Sequence, residues 1–430
     1  MDVTAAEKQD RPRGGNWSRR GVLSGLLGAP VLLVAACSGG GDKSGGSGAS
    51  GSTPAGGEGG GGASASPSTS PKASVAQITV KPADGTTAAP FTEPVTVTVL
   101  NGTLTAVTVT DGTGKAIAGR FSDDKASWTS TAKLSSGSQY TVAASAVDAD
   151  QRPADANASF STASPANTFV GYFTPEDGTT VGVGMPVSIN FNKSITDRKA
   201  VQQAITVVAD PPVEIVGHWF DSTRLDFRPQ EYWAKGTRVT LKLRLKDVAG
   251  AKGVYGTQSK DVTFTVGRSQ VSTADLKADT LTVRTDGQVT ATYPVIGGAP
   301  EHRTWGGKLV ISEKYQQTRM NSSTVGLGSE YDIPDVPHAQ RLTTSGTFIH
   351  GNYWSPASQF GNDNTSHGCI ALQDVQGGND PGTDAAKFYA SSMIGDVVEV
   401  VNSGDRTVNP ANGLNGWNMS WADWVAGSAV

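Results

Sequence analysis

The 430 residues contain only two cysteines and five histidines. One cysteine, Cys369, follows a histidine by two positions in Ser366-His367-Gly368-Cys369, and another histidine, His350, precedes His367 by 17 residues. A thiolate is a strong nucleophile, but a free cysteine has a pKa of about 8.5, so it needs a neighbouring base or cation to react near neutral pH. An imidazole supplies that base. An oxyanion formed by attack on a carbonyl needs donors, and backbone N–H groups in a tight turn at Gly368 would provide them. Three readings stand on residues alone. Cys369 could be an inert buried thiol, although its surroundings, "GNDNTSHGC", are polar. His350, His367 and Cys369 could hold zinc, although no fourth ligand or CxxC pairing is evident. The third reading, a thiol acyl-transfer enzyme, is favoured because nucleophile, base and oxyanion turn are all represented.

The segments around these residues alternate apolar and polar positions at period two, as strands do. "TLTVRTDGQVTATYPV" reads as a hairpin turning at Asp286-Gly287, and "KLVISEKY", "GTFIHG" and "GDVVEVV" as further strands. "TDAAKFYASSM" is a helix capped by Thr383 or Asp384, with Phe388 inward. Residues 269–403 are therefore expected to form a mostly β catalytic domain with minor helix. In the tail, residues 404–430, Trp417, Trp421 and Trp424 have the spacing of one helical face, which suits docking on neighbouring domains.

Upstream, "ADGTTAAPFTEPVTVTV" and "EDGTTVGVGMPVSINF" echo each other, and the segments they open end alike in "ASFSTAS" and "VTFTVGR". Two blocks of short alternating strands, 76–165 and 166–268, predict tandem immunoglobulin-like sandwiches, the alternative being a single larger β domain. Residues 37–75 are Gly/Ser-rich, with almost no large apolar side chain, and are expected to act as a tether. Residues 1–36 have a basic start and a short apolar run, the parts of an export signal, and "SRRGVL" loosely resembles a twin-arginine signal. Val34-Ala35-Ala36-Cys37 looks like a lipobox, so lipidation is expected at Cys37. Cys369 would then be the single free thiol of an exported chain, which points to function more than packing. A net charge of -4 with no basic stripe argues against a nucleic-acid partner.

"HGNYWSPASQFGNDNTSHGC" resembles the signature of the L,D-transpeptidases with a YkuD-type catalytic domain, and "RPQEYWAKGTRV", "RMNSSTVG", "GDVVEVVNS" and "GWNMSWADWVAG" are similar to members carrying immunoglobulin-like modules. The resemblance implies a mainly β chain of tandem sandwiches followed by the catalytic domain. It implies Cys369 as nucleophile, His350 as base and then acid, the Gly351 carbonyl orienting His350, and His367 and Gly368 shaping the turn. Tyr331 and Met320 would line the donor pocket. It further implies formation of 3→3 cross-links between peptidoglycan stem peptides in wall biogenesis, sensitivity to carbapenems, and neither cofactor nor metal. The chain would be a monomeric lipoprotein on the outer face of the cell membrane, reaching into the wall. An L,D-carboxypeptidase, a wall-anchoring transferase and a non-catalytic wall-binding lipoprotein are the alternatives. Two departures stand out: Ala371 occupies the place of the family's asparagine, and "YDIPDV" differs from the usual lid segment.

Overall fold

Period-two alternation becomes strand nearly throughout the computed structural model, which describes residues 72–430. The export signal at 1–36, the lipidation at Cys37 and the tether as far as residue 71 lie outside the described residues.

The first β region pairs strands Gln77–Lys81, Thr96–Leu100, Ser127–Ser130 and Gly119–Phe121 in one sheet, and Thr103–Asp111, Gln139–Val147 and Pro153–Ser161 in a second. In Gln139–Val147, Tyr140, Val142, Ala144 and Ala146 are buried. They meet Val97, Val99 and Trp128 of the other sheet in one apolar cluster. The second region repeats the plan. A sheet of Thr180–Val181, Ser259–Val266, Arg238–Arg244 and Ile205–Asp210 faces one of Val216–Trp219, Arg224–Arg228, Val187–Phe191 and Gly171–Thr174. Its separate core holds Ile189, Leu225, Phe227, Leu241 and Phe264. Two facing sheets with alternate residues buried between them make each an immunoglobulin-like sandwich.

A nine-stranded mixed sheet follows. Its order is Gly307–Val310, Val397–Val401, Gln270–Asp275, Thr280–Thr285, Gln288–Ile296, Ile370–Gln373, Phe348–Asn352, Asp332–Arg341 and Glu313–Asn321. The hairpin at Asp286-Gly287 has positive φ at both residues, as a two-residue turn between twisted strands requires. Helix Asp384–Ser391 starts at Thr383, whose hydroxyl accepts from the Ala386 N–H, and it sinks Phe388 and Ala385 into a core with Ile349, Ile370 and Leu372.

Glycine lets the second sandwich approach this sheet closely. The Gly182 and Gly184 N–H groups each donate at 2.8 Å, to the Ile394 and Gly395 carbonyls. A Cβ on Gly182 would come within 2.2 Å of the Asp396 nitrogen. Arg268 closes the same seam on the buried Asp396 carboxylate, at 2.9 and 3.1 Å.

The tail differs from the single helical face expected for its tryptophans. Trp417 lies in a 3-10 turn, Gly416–Asn418, while Trp421 and Trp424 lie in helix Trp421–Ala426, which Ser420 caps. The cap requires an extended residue at Ser420, which breaks the helical run. The three rings meet instead around the buried Arg228 guanidinium, at 4.7, 5.4 and 4.3 Å. Trp424 stacks on His218 and donates its indole N–H to the Val216 carbonyl at 2.9 Å. Asn418 meanwhile accepts from the Lys308 N–H and donates to the Lys308 carbonyl, at 2.8 and 2.7 Å. That double bond covers the open edge of strand Gly307–Val310. Trp424→Ala should cost about 3–5 kcal/mol through the cavity it leaves. The cost is read as a lower denaturation midpoint for the second sandwich, with the transition of the first sandwich unchanged.

Candidate functional site

Ile370–Gln373 runs between Gln288–Ile296 and Phe348–Asn352 and pairs with the latter in parallel, Ile349 opposite Ile370 and His350 opposite Ala371. Successive side chains on a strand point to opposite faces. Ile349, Ile370 and Leu372 enter the main core, which sends His350 and Ala371 to the other face. The same register sets Cys369 beside Phe348, whose N–H donates to Cys369 Sγ at 3.4 Å. Cys369 and His350 are thus diagonal neighbours on one face of adjacent strands, a separation that side chains bridge.

That face floors a cavity of about 370 Å³ lined by His350, Cys369, His367, Tyr331 and Met320 among others, a size suited to a small ligand. Gly351 and Gly368 are not among the lining residues and contribute through backbone hydrogen bonds. His350 Nδ1 is 2.8 Å from the Gly351 carbonyl oxygen. A carbonyl only accepts, so Nδ1 carries the proton and Nε2 keeps its lone pair for use as a base. The Trp354 ring stacks on the imidazole at 5.8 Å. No side chain fits at Gly351, because a Cβ would lie 2.0 Å from Asp374 Oδ2. Asp374 is itself held by His338 Nδ1 at 2.7 Å and by the Thr383 hydroxyl at 3.0 Å.

Gly368 sits at φ +105°, a conformation that favours glycine. Its N–H donates to Ser366 Oγ at 3.2 Å, and the Ser366 hydroxyl donates to the Cys369 carbonyl at 2.6 Å. Asn364 supports the start of this loop, accepting from the Gly297 N–H and donating to the Leu276 carbonyl and Asp279. Ala371, where the family's asparagine would stand, is fully buried against Ile296 and Phe360. Support at that position is therefore apolar contact, while Asn364 and Ser366 make the polar contacts. Sequence reasoning passed over Asn364, Ser366, Trp354 and Asp374. The density of Asn and Ser before the cysteine was the available signal for the first two.

Tyr331 ends a loop closed by Ser322, whose hydroxyl donates toward the Gly328 and Tyr331 carbonyls and accepts from the Tyr331 N–H. Burial pushes the Tyr331 phenol up to about 12, so it stays a neutral donor over the cavity. Met320 pairs with Ile333 at the cavity's edge. The zinc reading from sequence finds no support. His350, His367 and Cys369 do not form a group with ligand atoms within 4.8 Å of one another. Among the described residues, that test is met by His302, Glu330 and His367.

The electrostatics describe a neutral pair. Burial pushes the Cys369 thiol up to about 11, against smaller lowering by the Phe348 N–H and Arg341. Burial also holds the His350 imidazole below its ordinary 6.5, outweighing the Gly351 bond and Asp374. At pH 7 the thiol keeps its proton and the imidazole is free to take it. Alkylation of Cys369 by iodoacetamide, which consumes thiolate, should keep rising beyond pH 9 toward a midpoint near 11. Levelling off near the free-cysteine value of about 8.5 would contradict this. Any acyl transfer relying on His350 should lose rate only as pH falls below 6.5, where the base becomes protonated.

The bacterial Ig domain family matches residues 86–249, and the L,D-transpeptidase catalytic domain family matches residues 269–400. The first match reaches into both sandwiches. The chain is 34% identical over 360 residues to L,D-transpeptidase 2 of Mycobacterium tuberculosis, covering 83% of this chain and 85% of that protein. It is 32% identical over 361 residues to L,D-transpeptidase 5 of the same organism, covering 82% and 77%. A solved structure of an L,D-transpeptidase in complex with imipenem aligns at 30% identity over 55% of this chain and 100% of that one, with a TM-score of 0.46.

Proposed function

The chain belongs to the L,D-transpeptidase family, and from that membership we propose that it forms 3→3 cross-links in peptidoglycan with Cys369 as the nucleophile and His350 as the base. The observation that carries this reading is the placement of both side chains on one face of adjacent parallel strands. They open into one cavity, with His350 Nδ1 tied to the Gly351 carbonyl so that Nε2 is left to act.

The donor is a tetrapeptide stem. As Cys369 Sγ attacks the carbonyl carbon of the third residue, His350 Nε2 takes the thiol proton. A neutral thiol and neutral imidazole are the right starting states for that transfer. The backbone N–H of Cys369 in this turn would donate to the developing oxyanion, while the Gly368 N–H, held by Ser366 Oγ, keeps the turn in shape. The bond to the terminal D-alanine then breaks, and His350 returns the proton to the leaving amine. A thioester remains on Cys369. The side-chain amine of the third residue of a neighbouring stem attacks it, loses a proton to His350 and forms the new amide, and the thiol is restored with that proton. Tyr331 and Met320 cover the donor, and His367 holds the turn. Shelter from water favours amine over hydrolysis in the second step.

Lipidation at Cys37 and the Gly-rich tether would hold the enzyme on the outer face of the membrane, with the sandwiches extending the catalytic domain into the wall as a monomer. Incubation of residues 72–430 with a defined tetrapeptide should yield a cross-linked dimer by mass and release D-alanine. Tripeptide alone would make the enzyme an L,D-carboxypeptidase. Cys369→Ala should abolish both products and the covalent adduct formed with a carbapenem. His350→Ala should slow acylation by about 10²–10⁴-fold. Full cross-linking by Cys369→Ala would sink the proposal.

A further inference from the structure

Beside the cavity, three side chains from three separate segments converge in a way the acyl-transfer chemistry does not use. His302 lies in the loop between strands Gln288–Ile296 and Gly307–Val310. That loop is fastened to the catalytic turn, since the Ala299 N–H donates to the Ser366 carbonyl at 2.8 Å and the His302 N–H to the Ala299 carbonyl at 2.9 Å. His367 lies in the catalytic turn itself. Glu330 comes from the loop that Ser322 closes, next to Tyr331.

His302 Nε2 and His367 Nε2 lie 3.4 and 3.2 Å from the same carboxylate oxygen, Glu330 Oε2, and all three atoms fall within 4.8 Å of one another. Bonds of about 2.0–2.1 Å from zinc to imidazole nitrogen and carboxylate oxygen place tetrahedral ligands about 3.3 Å apart. The two imidazole-to-carboxylate separations, 3.4 and 3.2 Å, match that spacing. The two imidazole rings lie 5.1 Å apart, and Tyr331 is 5.0 Å from the His367 ring. Two imidazoles and one carboxylate suit a borderline divalent ion such as Zn2+ rather than Mg2+ or Ca2+, which prefer all-oxygen shells. The three side chains are a quarter to two-fifths exposed, which leaves a fourth position open to water.

We propose that His302, Glu330 and His367 bind one Zn2+-class divalent cation, which fastens the Tyr331-bearing loop onto the catalytic turn. The ion joins the cavity's cover to its floor without touching the nucleophile. Metal occupancy would thereby set how readily the cover opens.

The test uses residues 72–430 carrying Cys369→Ala, so that the thiol contributes no metal affinity and the result is independent of the acyl-transfer reading. Calorimetric titration with Zn2+ should show one saturable site per chain. Tetrahedral Co2+ should give visible d–d absorption on binding. His302→Ala and Glu330→Gln should each weaken the site by at least about tenfold, while Glu301→Gln, on the neighbouring residue, should leave it unchanged. Thermal melts of the metal-free variants should match the parent, which separates ligand loss from misfolding. Zn2+ should also slow hydrogen exchange across residues 326–331. Absence of saturable binding in the Cys369→Ala background overturns the proposal. So does equal affinity in the His302 and Glu330 variants, or exchange at 326–331 indifferent to Zn2+.

Discussion

The parallel register between Phe348–Asn352 and Ile370–Gln373 is the constraint on which the site depends. Because strand side chains alternate, a slip of one residue would turn His350 into the core and Ile349 toward the cavity. The register is held from both faces. Ile349, Ile370 and Leu372 lock into the core beneath helix Asp384–Ser391, and Ala371 packs on Ile296 and Phe360 on the other side. The geometry of Cys369 and His350 is therefore a by-product of core packing, which makes it rigid at no separate cost. The loops add detail to a placement the strands already impose.

Burial is what makes this pair neutral. The same apolar surroundings that hold the strands in register penalise charge, raising the thiol and lowering the imidazole. A thiolate–imidazolium pair would need a polar setting that the packed strands do not supply. His350 is oriented by a backbone carbonyl, while the Asp374 carboxylate stands one layer back, bonded to His338. A carbonyl fixes the tautomer without adding a full negative charge that would favour the protonated imidazole.

The tail joins the second sandwich to the nine-stranded sheet. Its tryptophans enclose Arg228 on the sandwich, and Asn415 and Asn418 bond to Val310 and Lys308 on the sheet's edge strand. With the Gly182 and Gly184 contacts at 394–396, the catalytic sheet is tied at two places. The edge strand is thereby covered by polar side chains instead of another strand, which removes a site for unwanted pairing.

Much of this was legible in the sequence. Period-two alternation identified the mainly β class, the echo of Asp-Gly-Thr-Thr suggested repeated sandwiches, and Ser-His-Gly-Cys with an upstream histidine marked the family, because each depends on local spacing that a linear string preserves. Tertiary structure alone decided that the tail tryptophans meet around Arg228 across two short helical pieces, that Ala371 is supported by apolar contact, and that Asp374 fills the space behind Gly351. It alone brought His302 and Glu330 to His367. These contacts join residues about ten to nearly two hundred positions apart, and no periodicity or motif encodes a meeting that depends on how separate strands and loops pack in space.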